Sequence, residues 1–186
     1  MPSFTKKAIV ESFLYLAGKK PLDKITVRDV VDDCGINRNT FYYYFQDIYA
    51  VLEELCRNLI DDLPTDAPLS DTLLSFFERL YRFSLQHPRT SHGLLMSLSH
   101  DEWERYFATG LDRVILTCLL REHAAPMPER AYLEHLTDFL YHAVFGYCMD
   151  FFKDEKSHSF EEAKRDLSQI LQSFSAMLQG NQPDKK

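Results

Sequence analysis

Glycine is scarce, six in 186 residues, and no sustained period-2 alternation runs along the chain, so little of it is left for β-sheet. No run of about 18 uncharged apolar residues occurs, which excludes a membrane-spanning helix. The N-terminal stretch "MPSFTKKAIVESF" carries charge inside its apolar periodicity and has no small-residue cleavage site, so no secretory signal is expected. Cysteines are few. Cys34, Cys56, Cys118 and Cys148 are far apart and form no paired motif, the pattern of reduced thiols in a cytoplasmic protein. The phosphate-cradling loops G-x-x-x-x-G-K-[ST] and G-x-G-x-x-G are missing. So are the G-x-S-x-G elbow, the H-E-x-x-H zinc motif and paired Glu-x-x-His helices. No enzyme, no catalytic residue and no cofactor is expected.

An excess of positive charge is lacking as well. The net charge is -7, which at first argues against a nucleic-acid partner. Its distribution softens that argument: residues 1–50 hold seven Lys/Arg against six Asp/Glu, and the acid is concentrated beyond them. A phosphate-facing N-terminal surface therefore stays open, although charge alone does not establish one.

What is present is helical periodicity. "TKKAIVESFLYLAGKK" predicts a helix capped by Thr5, with Ile9, Phe13 and Leu16 on one face, stopping at Gly18. "PLDKI" reads as an extended link. "TVRDVVDDCG" predicts a short helix capped by Thr26, with Val27, Val30 and Val31 inward and Gly35 at its end. "NRNTFYYYF" predicts a third helix capped by Asn37, and "DIYAVLEELCRNLIDDL" a fourth capped by Asp47 and closed near Pro64. After "PTDAPLS" the spacing predicts longer helices over about 71–86, 91–97, 101–122, 129–153 and 160–179. "HAAPMPE" and "DEKSHS" are the breaks, and "GNQPDKK" is a polar tail. The expected architecture is all-α: an N-terminal three-helix head (1–46), a connecting helix (47–63) and a helical body (64–186).

The unbroken run Phe41, Tyr42, Tyr43, Tyr44 poses a problem. Three tyrosines cannot all enter a core, because each buried hydroxyl needs a polar partner. The layout of two short helices and a tight turn over 26–45 resolves it, because this is the layout of a helix-turn-helix. Gly35 suits the turn, Ile36 plugs the angle between the helices, and Phe41 and Phe45, four apart, share the inward face. The opposite face then carries Arg38, Asn39, Tyr42 and Tyr43, with Thr40 and Tyr44 at its flanks. Arginine can pair with guanine, asparagine with adenine, and aromatic rings can meet thymine methyls. Hydroxyls suit phosphate oxygens. A tyrosine-rich helix taken alone is more often core or interface; the polar neighbours and the capped turn are what favour the outward reading. For Thr26 the cap is itself a sufficient role, and Arg28 is divided between solvated charge and phosphate contact.

"ITVRDVVDDCGINRNTFYYYFQDIYAVLEEL" resembles the DNA-binding head of the TetR/AcrR transcriptional regulators. The resemblance covers about residues 5–60, and its core is the pattern G-[IV]-x-x-x-T-[FL]-Y-x-[HY]-F, met by Gly35, Ile36, Thr40, Phe41, Tyr42, Tyr44 and Phe45. The stretch is similar in particular to the TetR-like subgroup that includes regulators of dihydroxyacetone kinase operons. The resemblance implies contact with a palindromic double-stranded DNA operator through Arg38, Asn39, Thr40, Tyr42, Tyr43 and Tyr44, and Thr26 and Arg28 join them as candidate DNA-binding residues. It implies a homodimer joined by the last two helices. It also implies a body that senses a small-molecule effector and releases DNA by population shift, so that the protein acts as a repressor. The alternative it leaves open is a regulator or co-activator controlled by a protein partner. Two departures stand out: Tyr44 where the family often has His, and Ile48 where it often has Lys. Losing that cation should flatten the salt dependence of binding, unless Arg28, Lys24, Lys6 or Lys7 compensates.

The body is less legible. Its aromatic stretches, Leu74–Leu85 and Tyr132–Phe152, are the spacing of ordinary core, and Arg79, Arg82, Trp103 and Tyr106 are cavity candidates that nothing selects. No residue is assigned to an effector. Phe139, Ala143, Gly146, Ile170 and Phe174 form a candidate dimer seam, extended by Leu178. His135, Asp138 and His142 share a helix face with donor chemistry for a transition metal, but a polar pair at a bundle edge explains them as well, and no metal is expected.

Overall fold

The computed structural model describes residues 4–122, 129–153 and 159–180, with the side chains of 178–180 left aside. Within them are nine α-helices, one 3-10 turn and no strand. The helices are α1 Phe4–Ala17, α2 Val27–Cys34, α3 Arg38–Tyr44, α4 Ile48–Ile60, α5 Leu69–Gln86, α6 Pro88–Ser97, α7 His100–Glu122, α8 Arg130–Lys153 and α9 Phe160–Gly180. The breaks at "HAAPMPE" and "DEKSHS", the tail "GNQPDKK" and the seam residue Leu178 lie wholly or mostly outside the described residues or side chains.

Two sequence expectations near the N-terminus need correction. "PLDKI" is not extended throughout; Leu22–Lys24 forms a 3-10 turn whose Leu22 is buried. Helix α1 begins at Phe4, before Thr5, and Leu16 is only half-buried while Ala17 is buried. Ile9, Phe13 and Ala17, each four residues from the next, form the stripe.

The chain divides into two compact units, Met1–Leu59 with Leu80–Phe107, and Ile60–Arg79 with Ala108–Lys186. In the first, α1 packs on α2 and on α6. Ser12 on α1 donates to the Val30 carbonyl (3.3 Å), and Thr90 on α6 donates to the Leu14 carbonyl (2.9 Å). Gly93 permits that approach, since a Cβ there would stand 3.0 Å from the Ala17 carbonyl oxygen. Fully buried Ile9, Phe13, Val30, Phe41, Val51 and Leu52 form its core.

In the second unit, Phe77 is fully buried within an aromatic cluster: its ring centroid lies 6.0 Å from Tyr147, 5.2 Å from Phe151 and 5.2 Å from Phe160. Tyr147 stands beside the core rather than lost in it because its hydroxyl donates to the Ala163 carbonyl (2.9 Å), the partner a half-buried phenol needs. Arg79, a cavity candidate from the sequence, instead donates to the carbonyls of Asp61 and Asp62 beyond α4. Cys56, Cys118 and Cys148 are buried, Cys34 half-buried, and none is in a disulfide. Burial pushes the Cys56 and Cys148 thiols far above their ordinary range, as expected of inert core thiols.

Candidate nucleic-acid interface

The helix-turn-helix is built from caps. Thr26 and Asp29 form a reciprocal capping box: the Asp29 amide donates to Thr26 Oγ1 (3.2 Å), while the Thr26 amide (2.8 Å) and hydroxyl (2.6 Å) donate to Asp29 Oδ2. Such a box satisfies two orphan donors of a helix start. Lys20 adds an ion pair to the same oxygen (2.7 Å). The hydrogen bonds from Lys20 and Thr26 hold the Asp29 carboxyl well below the usual carboxylate range. At the other end of α2, Gly35 adopts φ 67°, the left-handed region where a side chain is disfavoured. The Ile36 amide then returns to the Val31 carbonyl (3.1 Å). Asn37 caps α3, its Oδ1 accepting from the Thr40 amide (2.8 Å) and hydroxyl (3.1 Å). Asp47 caps α4 through the Ala50 amide (2.8 Å).

These caps fix which way α3 faces. Phe41 is 0% and Phe45 5% exposed, so both phenylalanines point inward. Arg38 and Asn39 are exposed, and Thr40 and Tyr44 half-buried. Tyr42 is 55% and Tyr43 81% exposed. The exposed rings are braced from behind: Tyr42 edge-on to Phe41 at 5.6 Å and Tyr43 edge-on to Tyr44 at 4.9 Å. The result is a short convex ridge of one guanidinium, one amide and two phenols. Thr40 is less free than its neighbours, because its hydroxyl proton is directed at Asn37 within its own chain.

The sequence-predicted site residues on α2 are engaged at home. Thr26 serves the capping box, and Arg28 Nε lies 3.4 Å from Asp32 Oδ2. Of the cations expected to compensate for Ile48, Lys24 faces Asp23 (3.1 Å) and Lys6 faces Glu54 (2.6 Å), while Lys7 is exposed. Ile48 itself is 6% exposed, a core position. The Arg28–Asp32 pair has the i,i+4 spacing that a sequence reading can pick out. The Lys6–Glu54 and Lys20–Asp29 pairs have no such signal.

A second exposed surface lies on α8 and α9. Leu140, Tyr141, Val144, Phe145 and Cys148 of α8 are buried, as are Ala163, Leu167 and Leu171 of α9. Outside them stand Phe139 (60% exposed) and Ile170 (58%), exposed Ala143 and half-buried Gly146 and Phe174. The Phe139 and Phe174 rings stack at 6.2 Å. A Cβ at Gly146 would meet no atom of this chain within 4 Å. His142 Nδ1 lies 2.8 Å from the Asp138 carbonyl oxygen and 3.5 Å from its carboxylate. Among the described residues no three His, Cys, Asp or Glu side chains converge as metal donors, and no helix is long and apolar enough to cross a membrane.

Comparison with known proteins gives these features a context. Residues 9–55 match the family model described as bacterial regulatory proteins, tetR family. A structure described as the dihydroxyacetone kinase operon activator DhaS superposes over 94% of this chain and 97% of its own, at 16% identity and a TM-score of 0.66. A TetR transcriptional regulator from Streptococcus agalactiae covers 90% and 93%, at 22% identity and 0.61. The fatty acid degradation regulator FadR from Bacillus halodurans covers 92% and 96%, at 10% identity and 0.59. At these identities the likeness is one of fold. A search of curated proteins finds no match.

Proposed function

We propose that this chain, whose residues 9–55 match the family model of bacterial regulatory proteins, tetR family, is a transcriptional regulator of that family that binds a palindromic operator through its N-terminal domain as a homodimer and acts as a repressor. In this reading residues 1–46 are the DNA-binding domain, 47–63 the connecting helix, and 64–186 the regulatory and dimerisation domain. The observation that carries it is the orientation of α3: both phenylalanines inward, with Arg38, Asn39, Tyr42 and Tyr43 displayed outward. Arg38 and Asn39 offer bidentate chemistry to guanine and adenine, and the two rings offer apolar contact to thymine methyls. Thr26, Thr40 and Tyr44 are assigned to phosphates, and Arg28 stands beside the same backbone with its charge matched by Asp32. The α8–α9 surface with Phe139, Ala143, Gly146, Ile170 and Phe174 is the proposed dimer seam. Pairing two heads sets half-sites about 34 Å apart on one face of the duplex.

Release follows when a small-molecule effector binds a state in which the two heads are wrongly spaced. The protein needs no cofactor and turns over no substrate, and it works in the cytoplasm, where its DNA is. A second reading is a regulator or co-activator controlled by a partner protein; one neighbour of the same fold is described as an operon activator, which supports the activating half of that reading. Selection from a randomised duplex pool with the full-length protein tests the main reading. The expected result is an enriched inverted repeat with half-site centres about one helical turn apart. Recovery of unenriched sequence would contradict it. Transcription from a promoter carrying the recovered site then separates repression from activation.

A further inference from the structure

Most cations of the head are already matched by carboxylates. Of the seven Lys and Arg in residues 1–50, Lys6 faces Glu54, Lys20 faces Asp29, Lys24 faces Asp23 and Arg28 faces Asp32. Lys19 lies over the ring of Tyr15, its ammonium 3.6 Å from the centroid. Lys7, Lys19 and Arg38 are the exposed cations with no carboxylate partner among the described residues. Two of the pairs sit fully in solvent: Arg28 and Asp32 side chains are 76% and 68% exposed, Lys24 and Asp23 71% and 65%. Exposed pairs of this kind hold weakly and add little to stability. Their consequence is electrostatic. If Arg28 swings toward a phosphate, Asp32 stays one turn away on the same exposed side of α2 and repels that phosphate. The pair offers no net charge whether open or closed.

In a helix-turn-helix the helix preceding the recognition helix crosses the DNA backbone, and here that helix is α2. We propose that Asp32 on α2, and Asp23 in the 3-10 turn that leads into it, are specificity-determining residues. By neutralising Arg28 and Lys24 they hold down the sequence-blind attraction to phosphates and leave discrimination to Arg38, Asn39, Tyr42 and Tyr43. This rests on the reading of α3 as the DNA-contacting helix. Each phosphate neutralised by a protein cation contributes about -0.9 to the slope of log Kobs against log salt. Two heads, each with Lys7, Lys19 and Arg38 unmatched, give a slope no steeper than about -5.4.

The test uses full-length protein, the duplex recovered by selection, and a random-sequence duplex of equal length, titrated across a range of salt. Asp32→Asn and Asp23→Asn should each steepen the slope by about 2, one freed cation per head. Each should tighten binding to the random duplex by roughly tenfold at low salt, so that the ratio of specific to random affinity falls. Asp33→Asn is the control. It removes an exposed carboxylate of the same helix without freeing a paired cation, and should change the slope by less than half as much. An unchanged thermal midpoint for all three variants shows that the head is intact. If Asp32→Asn binds like the parent, or Asp33→Asn matches it, the assignment of Asp32 is wrong. A parent protein that discriminates sequences with a slope near -8 overturns this proposal alone. A parent that prefers no sequence overturns the reading of α3 as well.

Discussion

Two surfaces of this molecule leave large apolar side chains in water, and they differ in what accompanies the hydrocarbon. On α3 the exposed rings are phenols, Tyr42 and Tyr43, set beside Arg38 and Asn39. On α8 and α9 the corresponding side chains are Phe139, Ile170 and Met177, which carry no hydrogen-bond donor. A ring with a hydroxyl, next to fork-shaped donors, suits a partner that is itself polar and patterned. A bare phenylalanine beside an exposed alanine and a half-open glycine suits another apolar protein surface, where close approach is the gain. Exposure of apolar area therefore says only that something is missing; the polar atoms around it indicate what.

The inward side of α3 should show the largest effect. Phe41→Ala empties a fully buried site and is expected to cost about 3–5 kcal/mol in denaturant unfolding. A loss below about 1 kcal/mol would mean that the head does not depend on this ring. On the other surface, Phe139→Asp with Ile170→Asp places charge in the proposed seam. The expected outcome is a dimer dissociation constant raised at least about 100-fold, roughly 3 kcal/mol, by sedimentation, with the helical content unchanged. The same charge at Tyr43 should leave the oligomeric state alone, which separates the two surfaces directly. Thr26→Ala removes half of the capping box and should lower stability by about 1 kcal/mol.

The smallest effect concerns pH. The Asp29 carboxyl is held below its ordinary value in the folded state by Lys20 and Thr26. Its contribution is therefore present above the unfolded carboxylate value of about 3.9 and is lost as the pH falls below that toward the folded value. Asp29→Asn should flatten stability against pH below about 4 and leave its shape unchanged above about 5.

Much of the fold was legible because its signals are local. Thr26, Asn37 and Asp47 each cap the helix that the sequence assigns to them, and Gly35 takes the left-handed conformation a turn there requires. Periodicity separated Phe41 and Phe45 from Tyr42 and Tyr43 because residues four apart share a helix face and consecutive residues do not. Where the reading fell short, the deciding contact is distant. Ala17 extends the Ile9–Phe13 stripe at the same four-residue spacing, and what the spacing does not show is that its backbone lies close against Gly93 of α6. The Leu80–Phe107 segment clusters with the N-terminal unit through contacts such as Thr90 to Leu14, and composition does not change at Leu80. Arg79 looked like a cavity residue because a guanidinium among aromatics is conspicuous in sequence; its carbonyl partners come from the loop after α4. The neutralisation of Arg28 was readable from i,i+4 spacing, whereas that of Lys6 by Glu54 needed coordinates.

Equilibrium binding of the selected duplex by Arg38→Ala and Tyr43→Ala proteins, each with an unchanged denaturation midpoint, tests the outward face of α3 most directly. The expected result is a loss of about 1–3 kcal/mol for each, with relaxed base preference at the positions contacted. Affinities equal to that of the parent protein for both variants would contradict it.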